Sequence, residues 1–422
     1  MSKPRVGILT TLYNFDSAYS LCSVIAAQLK ALAKYGYAPV LFVHDNFTDD
    51  AKVPEGVEIR KIVPRFLLID YSQNQEPAAD LVQQAEKVVI SLKEPLADID
   101  IVIEHDILFQ GWFLPYAMAL HQLPRMLPKI KWLHWVHSNP SGRPPNLKDP
   151  HLARYVLPAN SKIVYLNNHF LIRVAEHFGI FPKDVRIVYN PLDPRLFFKA
   201  HPLVESLLDK YPILESDFVQ VYPVSTTRMV DGKGLYTLID IFSKLKQQGK
   251  KVCLIIANAH ANDKREKQVI AQALSYASQK GLNQTELIFT SLENPPLYEL
   301  GVPREVISQL FQLTNVFIFP SVSENCSLIL LEAMLSKNLL ILNESVPPMG
   351  EFAGANALYF KFGGMGETIS YQDREAWLRD LAMIIISEFE NNRPLKAARE
   401  IRQNYSLDVI FKTQIEPLFY EQ

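Results

Sequence analysis

Short apolar runs alternate with stretches of helical periodicity along this chain, and the pattern is played out twice with a cluster of backbone breakers between. In the first series the apolar runs are 6–11, 39–43, 57–63, 101–104, 130–136, 163–166 and 185–189. Between the first two, Leu21, Val24, Ile25, Leu29 and Leu32 recur at helical spacing and Gly36 closes the helix. Runs this short and this apolar, separated by helices, read as strands buried on both faces of a parallel sheet. The sequence Asn-Pro-Leu-Asp-Pro at 190–194 ends the series and is the best candidate linker. A second series follows, with strands at 218–225, 252–257, 287–290, 316–319 and 339–342 and helices near 234–247, 263–280, 303–313 and 326–336. A chain of 422 residues exceeds what one core supports. The expected fold is therefore α/β, with two doubly wound Rossmann-like domains at 1–192 and 193–400. An amphipathic helix near 407–420, within a terminal segment 401–422, is expected to pack back toward the first domain.

Charge and cysteine usage narrow the function classes. The net charge of −2 gives no global case for binding nucleic acid or an anionic membrane. Cys22, Cys253 and Cys326 are scattered, which argues against a disulfide framework or a zinc site and for a reducing compartment. No secretory leader and no apolar run of about 18 residues is read. A cytoplasmic protein without stable membrane insertion is expected.

The densest chemistry lies in Pro-Ser-Val-Ser-Glu-Asn-Cys-Ser-Leu-Ile-Leu-Leu-Glu-Ala-Met at 320–334. Strand, polar turn and helix follow one another here, the arrangement that aims a helix N-terminus at an anion above a parallel sheet. Ser323 and Asn325 are competent N-caps, and Leu328, Ile329, Leu331 and Leu335 would supply the buried face. Glu332 then lies beside an apolar stripe, where a lone carboxylate is costly, and a pair of ligand hydroxyls would serve it. A capped helix with one boundary glutamate is the plainer alternative.

In the first turn of the second domain, Arg228 lies in the loop and Lys233 at the start of the next helix. A lysine there opposes the helix dipole unless an anion accompanies it. Together the two could clamp a diphosphate, or be solvated cations; the spacing of a Walker loop is missing. His134 and His137, an odd number apart at the end of a strand, face opposite ways and make a poor metal pair. His137, at the carboxyl end, is the better site candidate, and His134 suits the core. Glu104, His105 and Asp106 also end a strand and suit structural roles. Cys326 near a helix N-terminus is read as a plain helix residue rather than a nucleophile.

Taken in order, these segments resemble the retaining GT-B glycosyltransferases of family 4, across essentially the whole chain. The run 185–193 resembles that family's hinge; Arg228, Lys233 and Gly234 fall at its phosphate-binding positions. Phe-Ile-Phe-Pro-Ser at 317–321, followed by Glu324 and Glu332, resembles its strand and E-x7-E motif, and Gly350-Glu351 its glycine-rich turn. The resemblance implies two Rossmann-like domains facing a central cleft. It implies that Glu332 binds the ribose, and that Arg228 and Lys233 hold the diphosphate and stabilise its departure. Glu324 with Asn325, Cys326 and Ser327 would hold the transferred sugar, His137 would line the sugar site, and Ser291 and Leu292 would lie on the donor side. Asn14, Asp16 and Ser17 would form the acceptor or phosphate loop.

Three departures from the family pattern stand out. Asn325-Cys-Ser327 replaces the usual glycine-aromatic-glycine, Phe15-Asp-Ser17 replaces paired glycines, and the strand ending at 256–259 lacks its glycine. The first bears on donor identity and the second on acceptor access. The expected activity is transfer of a hexosyl group from a UDP- or GDP-linked sugar to a hydroxyl acceptor, by a front-face, retaining, metal-independent route with no cofactor. The acceptor could be a glycan, a small molecule or a modified DNA base. A nucleotide-sugar epimerase of the same fold, or a silent nucleotide-sugar-binding protein, are the alternatives.

Overall fold

The computed structural model describes residues 3–16, 19–72, 76–140, 142–144, 146–147, 149–230, 232–325, 327–364 and 371–421. The chain divides into two compact units, Met1–Leu192 with Leu407–Gln422, and Asp193–Ser406.

The first unit is built on seven parallel strands: β1 (Arg5–Leu9), β2 (Ala38–His44), β3 (Glu58–Val63), β4 (Ile101–His105), β5 (Lys131–Val136), β6 (Ser161–Tyr165) and β7 (Val185–Ile187). Their order is β3-β2-β1-β4-β5-β6-β7, so the winding reverses between β1 and β4. Alternate residues feed two separate cores. Val40, Phe42, Val102 and Trp132 pack on one face with Val88, Leu92 and Leu120. Leu41, Val43, Ile103 and Trp135 pack on the other with Ile25, Leu29 and Leu32. Burial on both faces is what makes these strands read as near-continuous apolar runs.

The second core is completed from the far end of the chain. Leu407, Ile410, Phe411, Ile415, Leu418 and Phe419 join it. Tyr35 stacks on Phe411 with ring centres 4.8 Å apart, and Lys34 pairs with Asp408 at 2.9 Å. The segment is helical over Leu407–Ile410 and Glu416–Tyr420 with a π-turn, Phe411–Ile415, between. Residues 401–406 do not belong to it. They finish the helix Arg393–Asn404, whose buried Arg402 donates to the carbonyls of Ile213 at 2.9 Å and Ser216 at 3.3 Å in the second unit.

The second unit carries β8 (Phe218–Ser225), β9 (Val252–Ala259), β10 (Leu287–Phe289), β11 (Val316–Phe319), β12 (Leu339–Asn343) and β13 (Leu358–Phe360). Two parallel ladders, β10-β9-β8 and β11-β12-β13, meet along β8 and β11 through side-chain amides. Gln220, wholly buried, donates to the carbonyl of Ile318 and accepts from its amide, both at 2.9 Å. Asn315 accepts from the amide of Val219 at 2.9 Å. The winding reverses at this seam, so the carboxyl ends of β8 and β11 flank the unit's crevice. No helix among the described residues is long and apolar enough to cross a membrane.

Candidate functional site

The loops after β8 and β11 are tied together at that seam. The amide of Val322 donates to the carbonyl of Gly232 at 3.1 Å, and Tyr222 OH donates to the carbonyl of Lys233 at 2.7 Å. Gly234 is left-handed at φ +68°, and a Cβ there would lie 2.8 Å from Pro320 Cγ and 3.0 Å from its carbonyl oxygen. Only glycine permits so close a passage of the two loops. Gly234→Ala is therefore expected to destabilise the second unit by about 2–4 kcal/mol through left-handed strain and overpacking. Urea unfolding checks this, and an unchanged midpoint would contradict it.

The passage brings Lys233 onto Glu324. Lys233 Nζ donates to Glu324 Oε1, and Ser321 Oγ donates to the same oxygen at 2.8 Å. The side chains are 14% and 12% exposed, so the pair is largely desolvated. The anion that a lysine beside a helix N-terminus requires is thus supplied by the chain itself. Asn343 fixes the turn from behind, donating to the carbonyl of Ser321 at 2.9 Å. Arg228 is exposed, and no side-chain partner of it is found among the described residues.

Glu332 lies on the helix Leu328–Leu335, whose cap position is Ser327 rather than Ser323 or Asn325. The expected buried face is also corrected. Leu330 and Ala333 are buried, Leu328, Leu331 and Leu335 are exposed, and Ile329 is in between. The helix is apolar almost all round, so composition did not single out its packed side. Glu332 pairs through Oε1 with Arg304, while its Oε2 is buried without a hydrogen-bond partner. A buried carboxylate oxygen without a donor is unfavourable and marks a place for one.

The other donor-side candidates separate. Asn325 is exposed beside the pair, Ser327 is buried at the helix cap, and Cys326 lies outside the described residues. Ser291 is buried and accepts from Asn258 Nδ2 at 2.9 Å, which makes its hydroxyl part of the scaffold; Leu292 is exposed.

In the first unit, His137 follows β5. Its amide donates to Asp106 Oδ1 at 2.7 Å, and its Nε2 lies 2.8 Å from His105 Nδ1. His105 Nε2 lies 3.0 Å from the side-chain amide oxygen Oε1 of Gln28. That oxygen can only accept, so His105 carries its proton on Nε2 and receives one from His137 Nε2 at Nδ1. His137 is left with an acceptor at its own Nδ1. Burial holds both rings below the usual histidine range, and the charge of His137 depresses His105 further. His134 is a core residue, 2.7 Å from Glu104 and 2.9 Å from Ser161 Oγ.

At the carboxyl ends of β1, β2 and β4 lies a cavity of about 1000 Å³, lined in part by Asn14, Asp16, Tyr13, His44, Arg65 and His105. Two acceptor-loop candidates, Asn14 and Asp16, thus sit in its wall; Ser17 lies outside the described residues. Sequence reasoning missed Arg304, Ser321 and Arg65. Arg304 carried a faint signal as a cation directly after the breaker-rich stretch 294–303, Ser321 stood in the 317–321 motif without a role, and Arg65 carried no signal.

No family model matches the chain. It is 23% identical over 357 residues to N-acetyl-alpha-D-glucosaminyl L-malate synthase of Bacillus anthracis, covering 83% of this chain and 81% of that protein. Among solved structures, Anabaena Alr3699/HepE in complex with UDP is similar at TM-score 0.34 and 16% identity, covering 98% of this chain and 99% of that one. A glycosyltransferase from Rickettsia africae is similar at TM-score 0.35 and 14% identity, covering 98% of each chain. Scores this low carry no functional weight. The chain thus folds into two doubly wound α/β units and is similar in sequence to a synthase aligned over most of both chains.

Proposed function

We propose that the protein is a retaining glycosyltransferase that moves a sugar from a UDP- or GDP-linked donor to a hydroxyl group. The observation that carries this reading is the desolvated Lys233–Glu324 pair at the winding reversal of the second unit, with Arg228 in the adjoining loop. A donor diphosphate would compete with Glu324 for Lys233 and recruit Arg228. Glu324, released, would accept from the hydroxyls of the transferred sugar. His137 Nδ1, in the first unit, is an acceptor that would suit a hydroxyl of a bound ligand.

In the reaction, the bond between the anomeric carbon and the diphosphate oxygen breaks while the acceptor oxygen bonds to that carbon on the same face. The acceptor proton leaves with the departing diphosphate. Negative charge grows on that leaving group, and preorganised Lys233 and Arg228 stabilise it more in the transition state than in the ground state. In this scheme the leaving group is stabilised by protein cations and no step calls on a metal. The relative's name makes L-malate its acceptor and N-acetylglucosaminyl its transferred group. The N-acetylglucosaminyl group is a reasonable first donor sugar in a screen, with L-malate as a dianionic acceptor for comparison.

The test is thermal shift against UDP, GDP and their sugars, repeated with EDTA and then magnesium. A selective rise with one nucleoside diphosphate and its sugar, unaffected by EDTA, is expected. Folded protein that responds to none of them would sink the reading.

Glu332 would take the ribose. Its unpartnered Oε2 could receive a diol while Oε1 keeps Arg304. Hydrogen bonds to a charged group contribute about 1.5–3 kcal/mol, so Glu332→Ala should weaken the preferred nucleotide about tenfold to a hundredfold. Calorimetric titration checks this. Unchanged affinity in a folded variant would remove Glu332 from the site.

A further inference from the structure

We propose that the cavity of the first unit takes an acceptor alcohol with an apolar body and one negatively charged group, the charge held by Arg65. The proposal rests on the glycosyltransferase reading above and names the kind of acceptor it would use.

The position comes first. The cavity opens at the carboxyl ends of β1, β2 and β4, on both sides of the point where the sheet's winding reverses, which is where open α/β sheets bind ligands. Its wall is largely apolar. Tyr13, Leu67 and Leu68 are 54%, 85% and 50% exposed, and all three line it. Single exposed apolar side chains are ordinary, but several gathered around one concavity mark a binding surface. Phe66 and Phe113 extend the apolar lining.

Charge then selects among apolar ligands. Arg65 stands over the ring of Tyr13, 5.8 Å from its centre. Among the described residues its guanidinium has no carboxylate within ion-pair distance and no hydrogen bond. Its five donors suit a planar or tetrahedral oxyanion. His44, close by, donates from Nδ1 to the carbonyl of Val63 at 3.0 Å, which leaves Nε2 as an acceptor. Burial, aided by the charge of Arg65, holds this ring below the usual histidine range against the hydrogen bond to Val63 and the charge of Asp45. The wall therefore offers one cation and one neutral acceptor nitrogen in an apolar setting. Asp16 also lines the cavity, but beside Cys22, and it makes a second anion on the ligand unfavourable there. Arg65 is itself exposed, so water serves it in the free protein; a ligand anion would replace that water with a charge-assisted contact, and a purely apolar ligand would cover the cation at a cost.

The experiment uses the full chain and nearly isosteric probes: 4-(hydroxymethyl)benzoate, 4-(hydroxymethyl)phenyl phosphate and 4-(hydroxymethyl)benzamide. Binding is followed by ligand-observed NMR, with binding of the preferred nucleoside diphosphate, UDP or GDP, as the control for folding. At least one anionic probe should bind about tenfold or more tightly than the amide, as a charge-assisted contact predicts. Whichever anion binds better identifies the acidic group. Arg65→Gln should bring acid and amide to parity while nucleoside diphosphate binding persists. Equal binding of acid and amide to the native protein, or a preference that survives Arg65→Gln, would overturn the proposal. So would the failure of every probe on protein that still binds UDP or GDP. Failure of the native protein to bind either UDP or GDP would instead defeat the glycosyltransferase reading itself, so the two failures are told apart.

Discussion

Replacing Lys233 and Arg228 together by alanine should lower sugar transfer by about ten-thousand-fold or more, since each preorganised group of this kind contributes about 100- to 1000-fold. Steady-state turnover of donor and acceptor is the measurement, with circular dichroism confirming the fold. The two residues should not contribute equally in the free protein. Lys233 is held in place by Glu324, and the loop that bears it is pinned by Gly234 against Pro320. It is therefore positioned before any ligand arrives. Arg228 is exposed and must be ordered by the donor, which costs side-chain entropy. Lys233→Ala alone should accordingly cost turnover more than Arg228→Ala alone. It also leaves Glu324 partly buried beside Ser321 without its cation, which raises the penalty for keeping that carboxylate ionised. Turnover within tenfold of the native value in the double variant would remove the diphosphate-clamp assignment.

The first unit should lose stability as the pH falls below about 6.5, the ordinary histidine value. His44, His105, His121 and His137 are all held below that value, with burial as the main cause in each case. When a histidine's pKa is depressed by folding, the unfolded chain binds its proton first. Stability is then full above the unfolded pKa and falls as the pH drops from there toward the folded value. Each ring in that window contributes a slope of about 1.4 kcal/mol per pH unit. For the wholly buried His105 the window extends well below 6.5. Carboxylates held low by cations, Asp98 by Arg60 and Asp49 by Lys52, add a second loss at more acid pH. Urea midpoints for the isolated transition of this unit, taken from pH 7.5 to 5, should fall steadily. His105→Gln should flatten the curve by up to one proton. A midpoint independent of pH across that range would show that these rings are protonated without penalty.

Much of the architecture could be read directly. The apolar runs marked nearly every strand because a sheet covered on both faces admits no polar alternation. Lys233 stood out in the sequence as a cation at a helix start, and Glu324 as the first glutamate of the E-x7-E resemblance. Their pairing was not legible, since it depends on Gly234 passing within contact of Pro320, a distance set by tertiary structure. The packed side of the helix Leu328–Leu335 was misjudged because leucines surround it, leaving no periodicity to follow. Gln220 and Asn315, which join the two ladders of the second unit, looked like ordinary polar residues in otherwise apolar strands. Arg65 stood in an irregular stretch, where only the shape of the cavity gives a cation meaning.

The residues that complete the first unit's second core, from Leu407 onward, are synthesised after the whole of the second unit. Lys34 and Asp408 meet across 374 positions of chain. During translation the whole of the second unit is made between the two halves of the first, and its own contacts are all available before the first unit can close. The order of completion should therefore invert the order of synthesis. The second unit matures early, while β1, β2 and the helix Ser20–Lys34 wait with one apolar surface uncovered. A nascent chain arrested just before residue 407 should expose that surface to chaperones, and one extended through the terminus should withdraw it.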